Sequence, residues 1–315
     1  MKPTKYFSSI LLRFRSHDRF LYRFADRNEL DGFITEISER LRNCMIYLIC
    51  SRPIISIVPE TFKKNGDQFE FDLKFRNDGA EKICSVKTPE GLIADFGDQA
   101  KVSAYPHNSI LNYDENGHHV STTLISNFVH LLQGIPDVIS NHEVLYVGKG
   151  TSDCAVDRLD GHSTLERILA DILRNDPSKE VAIIIYNFRM QKDILQIPNI
   201  GRYAEIRGPK AKTHFEAISD FQPGINEQTQ IAEALLIDYF KTSLYNTHFT
   251  NGLSSKLKTL KNVYELDFDA VVVEIDNENI GNLNVFSNHV APGYYHQAIL
   301  DIRKHEGRIS LLNLE

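Results

Sequence analysis

Alternating and recurring apolar positions predict the main elements of this chain. Apolar residues alternate with charged ones through residues 69–76, which is the period of a half-exposed strand. Short continuous apolar runs predict buried strands at residues 44–50, 144–147 and 181–186, and a run that only Glu274 interrupts predicts a strand at residues 270–275. Apolar residues three or four positions apart predict helices, over most of residues 1–43 and at residues 122–132, 163–173, 226–241 and 296–304.

Turn residues flank the alternating strand on both sides. Asn-Gly at residues 65–66 and Asn-Asp-Gly at residues 77–79 predict tight hairpin turns. Two further apolar segments, at residues 83–86 and 92–96, extend the strand into a predicted antiparallel meander.

The turn-rich residues 103–119 are interpreted as the loop between two regions. The first, residues 1–120, is predicted to be a helical and β-meander region. The second, residues 121–315, is predicted to be a small central sheet flanked by helices, with a C-terminal extension. Residues 187–226 hold three prolines and three glycines and are predicted to be an irregular insertion. The predicted fold class is α/β (α+β).

The composition is that of an ordinary globular protein. The net charge of −7 argues against a protein that coats nucleic acid over its whole surface. It allows a local basic groove, because salt confines electrostatic fields to about 10 Å. No apolar run approaches the roughly 18 residues of a membrane span, so no membrane partner is expected. The four cysteines lack metal-binding spacing and predict reduced thiols in a cytoplasmic protein.

The densest chemical signal lies in residues 143–162, EVLYVGKGTSDCAVDRLDGH. Its apolar run is long enough for a buried strand and too short for a helix. Gly148 and Gly150 then flank Lys149, which lets the backbone turn sharply and approach a ligand closely. This pattern predicts an anion-binding turn at the end of a strand.

Two further polar residues follow this turn. Arg158 and His162 are four positions apart and would share one face of a helix. Ser163 and Glu166 have the spacing of a capping box, which predicts that the next helix begins at Ser163. A lysine, an arginine and a histidine near the end of one strand would be suited to bind a phosphate group.

Five elements in this order resemble the second half of the GIY-YIG nuclease motif set. They are Tyr146-Val147-Gly148-Lys149, Arg158, His162, Glu233 within EALLIDYF, and Asn246 after Tyr245. In that family a Y-[IV]-G strand precedes a helix with R-x3-H, and a later helix carries a glutamate that an asparagine follows. Asn246 follows Glu233 by 246 − 233 = 13 positions, as the family pattern requires. The resemblance covers roughly residues 140–250 and implies a GIY-YIG-like module.

The resemblance implies a metal-dependent endonuclease that hydrolyses phosphodiester bonds. Glu233 would bind Mg²⁺ or Mn²⁺ as a hard oxygen ligand. Arg158 would place its guanidinium on the phosphate oxygens. Tyr146 would orient or deprotonate the attacking water.

The other matching residues would bind or position the substrate. His162 and Lys149 would contact the phosphate or the water, and Gly148 would let the backbone come close. Asn246 would orient the site through hydrogen bonds. DNA is the expected substrate, ahead of RNA, and a role in restriction or phage defence follows by analogy.

The family's first signature strand, G-I-Y, has no counterpart shortly before Tyr146. Met45-Ile46-Tyr47 is the nearest similar triplet and lies 146 − 47 = 99 positions upstream. If Tyr47 is the counterpart, the meander is an insertion within the module. If it is not, the site lacks a tyrosine and an inactive module is the expectation.

Ordinary interpretations stand beside these. Tyr146 could be a core aromatic residue, and Arg158 could form a surface ion pair. Glu60 with Asp72 and Lys74 imitates the PD-(D/E)xK nuclease pattern, but any half-exposed strand places two such residues on one face.

Two alternative functions remain at this stage. One is a catalytically inactive module that binds nucleic acid or a protein, and the other is a nuclease effector gated by a ligand or partner. A homo-oligomer or a regulatory partner is left open.

Overall fold

The computed structural model describes residues 6, 8–29, 44–90, 99–150, 159, 161–196, 204–247, 258–281 and 283–302. The strands are β1 (Ser8–Arg23), β2 (Ile46–Pro53), β3 (Ile55–Ile57), β4 (Lys63–Asn65), β5 (Gln68–Asn77), β6 (Ala80–Lys87), β7 (Lys101–Val102), β8 (Ser109–Tyr113), β9 (His119–Leu124), β10 (Asn141–Lys149), β11 (Lys179–Gln196), β12 (Ala270–Asp276), β13 (Asn284–Ser287), β14 (Val290–Gly293) and β15 (Tyr295–Asp301). The α-helices are α1 (Ile125–Phe128), α2 (Asp137–Ser140), α3 (Ser163–Asn175), α4 (Pro209–Asp220), α5 (Ile225–Phe240) and α6 (Lys258–Glu265).

The fold is mixed α+β and consists mostly of strands. Its main sheet has eight strands in the order β14-β13-β10-β2-β11-β1-β12-β15 and is nearly closed. The two edge strands are joined through Tyr294 alone. The buried His296 links them, because its Nε2 lies 2.8 Å from the carbonyl oxygen of Gly293 and 2.9 Å from that of Val285.

Strand β1 lies inside this sheet, so the helical prediction for residues 1–43 is wrong over residues 8–23. It runs antiparallel to β11 and parallel to β12. Ile10, Leu12 and Phe14 alternate with Leu11 and Arg13 and enter the core, which is the period of a strand. Residues 24–29 form a 3₁₀ helix, and residues 1–5, 7 and 30–43 lie outside the described residues.

Helix α5 packs against β10, β2, β12 and β15 on the inner side of the curled sheet. It confirms the helix predicted at residues 226–241. Nine of its residues are buried, which is typical of a helix surrounded by other elements. Glu233 is one of the nine and is the one carboxylate among them.

Helix α3 covers the opposite face of the same strands. Leu165 and Ile168 of α3 share a core with Tyr47 and Ile49 of β2. The alternate residues of β2, such as Leu48, belong to the core that contains α5. Strand β2 is therefore buried on both faces, which explains its continuous apolar sequence.

The chain leaves the main sheet after β2 and returns at β10. Between them lie a sheet of β3, β5 and β4 with β6 on β5, and a three-stranded sheet of β7, β8 and β9. These elements have a separate core that includes Phe69, Phe71 and Leu73. They confirm the predicted hairpins, while the strand predicted at residues 92–96 lies outside the described residues. The domain boundary near residue 120 stays a prediction.

A buried polar cluster joins this segment to the main sheet. Arg52, whose side chain is 0% exposed, donates to Glu180 on β11 at 2.9 Å and to the carbonyl oxygen of Ser126 at 3.4 Å. Its guanidinium also lies 3.4 Å from Nε2 of His142. Burial, and then the charge of Arg52, lowers the pKa of His142 to about 3 and that of His130 to about 4. The two imidazoles are therefore neutral at physiological pH.

Three more predictions are corrected by strand pairing and local turns. A helix was predicted at residues 296–304, but the chain forms β15 there. The pairing of β15 with β12 along its whole length is the reason. The segment predicted to be irregular at residues 187–226 holds the end of β11 and all of α4, while its residues 197–203 lie outside the described residues. Residues 122–132 form the end of β9, α1 and a 3₁₀ turn instead of one helix. Among the described helices, none has both the length and the apolar composition needed to cross a membrane.

Candidate active site

Tyr47 lies beside the predicted motif strand. Strands β2 and β10 are antiparallel neighbours, and their register places Tyr47 opposite Gly148. The rings of Tyr47 and Tyr146 have centroids 6.1 Å apart, and both pack in the core under α3. A bulge in β10 between Val144 and Tyr146 shifts the register at this point. Two tyrosines distant in sequence thus share one face of the sheet.

Gly148 is required here by space. A Cβ atom added to it would lie 2.4 Å from Cζ and 2.5 Å from the hydroxyl oxygen of Tyr47, and 2.7 Å from Cε1 of Tyr146. Real Cβ atoms essentially never show contacts this short, so a side chain at this position would force one or both rings to shift. Gly148 was predicted to let a ligand come close to the backbone. In the structure, the rings of Tyr47 and Tyr146 occupy the space beside it.

His162 completes this group of aromatic residues. Its Nδ1 accepts the backbone N–H of Leu165 at 3.1 Å and so caps α3. The cap is therefore His162, and Ser163, predicted to be the cap, is the first helical residue. Because Nδ1 accepts, a neutral ring carries its proton on Nε2, which then donates to the hydroxyl oxygen of Tyr47 at 2.9 Å.

Lys149 and Glu233 form a second group on the other face of the sheet. The Nζ atom of Lys149 lies 3.1 Å from Oε2 of Glu233, which projects from α5. The Glu233 side chain is 11% exposed and that of Lys149 is 32% exposed. Burial raises the pKa of Glu233, and the charge and hydrogen bond of Lys149 oppose that rise.

Asn246 holds the strand between these two groups. Its Oδ1 accepts the N–H of Val147 at 3.1 Å, and its Nδ2 donates to the carbonyl oxygen of Val147 at 2.8 Å. Strand β13 pairs with β10 only at residues 141–143, so the amide of Asn246 takes the place of a neighbouring strand farther along. Thr242 donates to the same Oδ1 at 2.7 Å.

The predicted residues thus form two groups at the same end of β10. Tyr47, Tyr146 and His162 lie on the α3 face, and Lys149 and Glu233 lie on the α5 face. Arg158 lies outside the described residues.

Two further polar residues of this region belong to no recognisable motif, so the sequence alone does not select them. Thr242 stands four positions before Asn246, and Asp171 accepts the Tyr245 hydroxyl at 2.9 Å.

Glu233 is the residue of this site that would ligate a divalent cation. No group of three or more His, Cys, Asp or Glu side chains that could hold a metal occurs in the described part of the chain. Mg²⁺ needs no such group, because it keeps several waters and uses one or two carboxylates together with substrate phosphates. A single buried carboxylate next to a lysine is compatible with that mode of binding.

The PD-(D/E)xK pattern does not form a comparable arrangement. Asp72 accepts a hydrogen bond from Ser85 at 2.6 Å, and Lys74 lies 3.8 Å from Glu81. Within the described ranges, no metal-binding group includes these residues.

Comparisons with protein-family models, curated proteins and solved structures find no match for this chain.

Proposed function

We propose that this chain is a metal-dependent endonuclease of the GIY-YIG type, which hydrolyses phosphodiester bonds, with DNA as the expected substrate. The observation that supports it best is the position of Tyr47 beside Gly148 and Tyr146. The motif set lacked a first-strand tyrosine, and β2 supplies one at the side of the Y-V-G strand. The segment between β2 and β10 is then an insertion between the two signature strands.

Tyr47 and His162 are suited to handle the proton of an attacking water. The Nε2–H of His162 is directed at the phenol oxygen and would donate to a phenolate there. In its phenolate form Tyr47 would take the proton of the water as the bond to phosphorus forms. Tyr146 packs beside both rings and would keep the hydroxyl of Tyr47 in position.

Lys149, Arg158 and Glu233 are suited to the phosphate. The two cationic side chains would bind its oxygens and balance the charge that develops in the transition state. Glu233 would hold the divalent cation, which supplies polarisation of a phosphoryl oxygen and stabilisation of the leaving oxygen. Asn246 would keep the end of β10 in place through Val147.

A second candidate function is a non-catalytic module that binds nucleic acid. The observation that favours it is the separation of the two groups, because Tyr47 and Glu233 lie on opposite faces of the sheet. Such a protein would bind DNA through its cationic residues and leave it intact.

Cleavage of supercoiled plasmid DNA in Mg²⁺ or Mn²⁺ tests the proposal. The wild-type protein is compared with Glu233→Ala and Arg158→Ala, and with Glu227→Ala as a control on the same helix. We expect metal-dependent nicking or linearisation by the wild type and the control, and none by the two site variants. Equal cutting by all four proteins, or binding without cutting by the folded wild type, would contradict the proposal.

A further inference from the structure

We propose that Lys149 keeps cations away from Glu233 until a phosphate group of the substrate draws its ammonium aside, so that metal and nucleic acid bind interdependently. This inference rests on the proposed function and adds the order of events at the same site. It concerns what Lys149 does before the substrate arrives.

The ion pair occupies the carboxylate that the metal needs. Nζ of Lys149 lies 3.1 Å from Oε2 of Glu233, and neither side chain has another ionic partner among the described residues. A divalent cation at this oxygen would stand within a few ångströms of a positive charge. In a partly desolvated site that repulsion is strong, since the effective dielectric constant is far below that of water. Lysine and metal therefore compete for Glu233.

The lysine is the partner that can move. Glu233 is fixed in the middle of α5 with its side chain 11% exposed, whereas that of Lys149 is 32% exposed. A lysine ammonium sits on a flexible four-carbon stem and can turn towards a new anion. The backbone on either side stays in place, because Asn246 holds Val147 and the N–H of Gly150 donates to Met45 at 2.7 Å.

A phosphate on the open side would offer Lys149 an alternative anion. Once the ammonium bonds to phosphate oxygens, the carboxylate of Glu233 is left with a net negative charge and a cation can replace the lysine. Coupling between two ligands is reciprocal, so each must tighten the binding of the other by the same factor. Couplings of this kind are about 5- to 150-fold, and a direct ion-pair exchange belongs in the upper part of that range.

The test measures binding and requires no turnover. Mn²⁺ affinity is measured by electron paramagnetic resonance on the full chain, with and without a short phosphorothioate DNA that resists cleavage. The affinity for a fluorescent form of the same DNA is measured by anisotropy, with and without Mn²⁺. Glu233→Gln with the same DNA serves as the blank for Mn²⁺ bound by the DNA itself.

Three further variants isolate the lysine. Lys149→Met keeps the stem and removes the charge, and Lys149→Arg keeps a charge. Lys179→Met is the matched control, because Lys179 pairs with Glu143 at 3.3 Å and is similarly exposed at 37%. Thermal unfolding confirms that each variant is folded.

We expect DNA to tighten Mn²⁺ binding about 10- to 100-fold in the wild type and in Lys179→Met, and Mn²⁺ to tighten DNA binding by the same factor. Lys149→Met should bind Mn²⁺ tightly without DNA and keep only the coupling that direct contact between the metal and a phosphate supplies, at least about threefold below the wild-type factor. Lys149→Arg should retain most of the coupling.

Two results would overturn the inference. If the wild type binds Mn²⁺ through Glu233 without coupling to DNA, or if Lys149→Met keeps the full coupling, Lys149 does not control the site and the proposed nuclease still stands. If no protein shows Mn²⁺ binding that depends on Glu233, both the inference and the proposed metal site fail. If Lys149→Met does not fold, an absence of coupling in the wild type still overturns the inference.

Discussion

Replacing Gly148 with alanine tests the contact between the two tyrosine strands. The added methyl group would lie 2.4 Å from Cζ and 2.5 Å from the hydroxyl oxygen of Tyr47. Gly148 is not among the residues with positive φ, so the backbone itself accepts alanine and only space opposes it. The ring of Tyr47 must therefore move, and its hydrogen bond with His162 is stretched or broken.

The expected loss of stability follows from three terms. Overpacking a buried site costs about 1–3 kcal/mol. Loss of one buried hydrogen bond costs about 1 kcal/mol more. The alanine restricts the unfolded chain and returns about 0.4–1 kcal/mol. The net destabilisation is about 1–4 kcal/mol, which lowers the melting temperature of a chain of this size by roughly 2–6 °C.

Urea and thermal unfolding of the purified variant measure this loss. Gly293→Ala is the matched control, because Gly293 has no positive φ and the atoms nearest to an added Cβ would lie 3.6 Å away, an ordinary van der Waals distance. We expect the control to stay within about 0.5 kcal/mol of the wild type. A Gly148→Ala protein as stable as this control would show that Tyr47 does not cover Gly148 as described.

Three other substitutions give distinct outcomes. His142 is neutral in the fold, with a pKa of about 3, but protonates near pH 6.5 when the chain is unfolded. The stability therefore falls as the pH drops from about 6.5 towards 4, by up to about 1.4 kcal/mol per pH unit. His142→Asn should flatten this fall, measured by urea titrations at several pH values. Arg52→Ala removes one of the two arginines that pair with the buried Glu180, and because Arg23 remains 3.4 Å from it the loss should be about 1.5–3 kcal/mol in the same assay. Asn246→Ala removes both hydrogen bonds to Val147 and should cost about 2–4 kcal/mol, with faster amide exchange at Val147.

One exposed residue serves as the control for each of these three buried residues. His118→Asn removes a histidine whose side chain is 80% exposed and should change the stability by less than about 0.5 kcal/mol. Lys74→Ala removes an exposed contact of 3.8 Å to Glu81 and should cost less than about 0.5 kcal/mol. Asn65→Ala removes an exposed hydrogen bond to Glu70 and should be equally mild. If substituting a buried residue and substituting its exposed control changed the stability equally, the burial described for that site would be contradicted.

Elements whose pattern is local could be predicted from the sequence. The strict alternation in residues 69–76 gives β5, because one face of that strand enters a core and the other does not. The apolar residues of α5 likewise identify a helix within a residue of its true ends. Strands β1 and β15 were predicted as helices, because their pairing with β11 and β12 depends on residues far away in the chain.

In the candidate site too, residues in local motifs could be predicted from the sequence and contacts between distant parts of the chain could not. Gly148, His162 and Glu233 could be selected by their motif spacing alone. The contact of Tyr47 with Gly148 could not, because it depends on how the chain returns to the sheet after residues 54–140. The pairing of Lys149 with Glu233 also depends on where α5 packs, which no local pattern reports.

The most direct test of the account is the rate of DNA cleavage by Tyr47→Phe in saturating Mg²⁺ or Mn²⁺. This substitution removes one hydroxyl group and leaves the ring that covers Gly148. Tyr245→Phe is the matched control, since Tyr245 belongs to the same core and its hydroxyl bonds to Asp171. The account predicts that single-turnover cleavage by Tyr47→Phe falls about 10²- to 10⁴-fold, while the control cuts at a rate close to that of the wild type. Cleavage by folded Tyr47→Phe at the wild-type rate would contradict it.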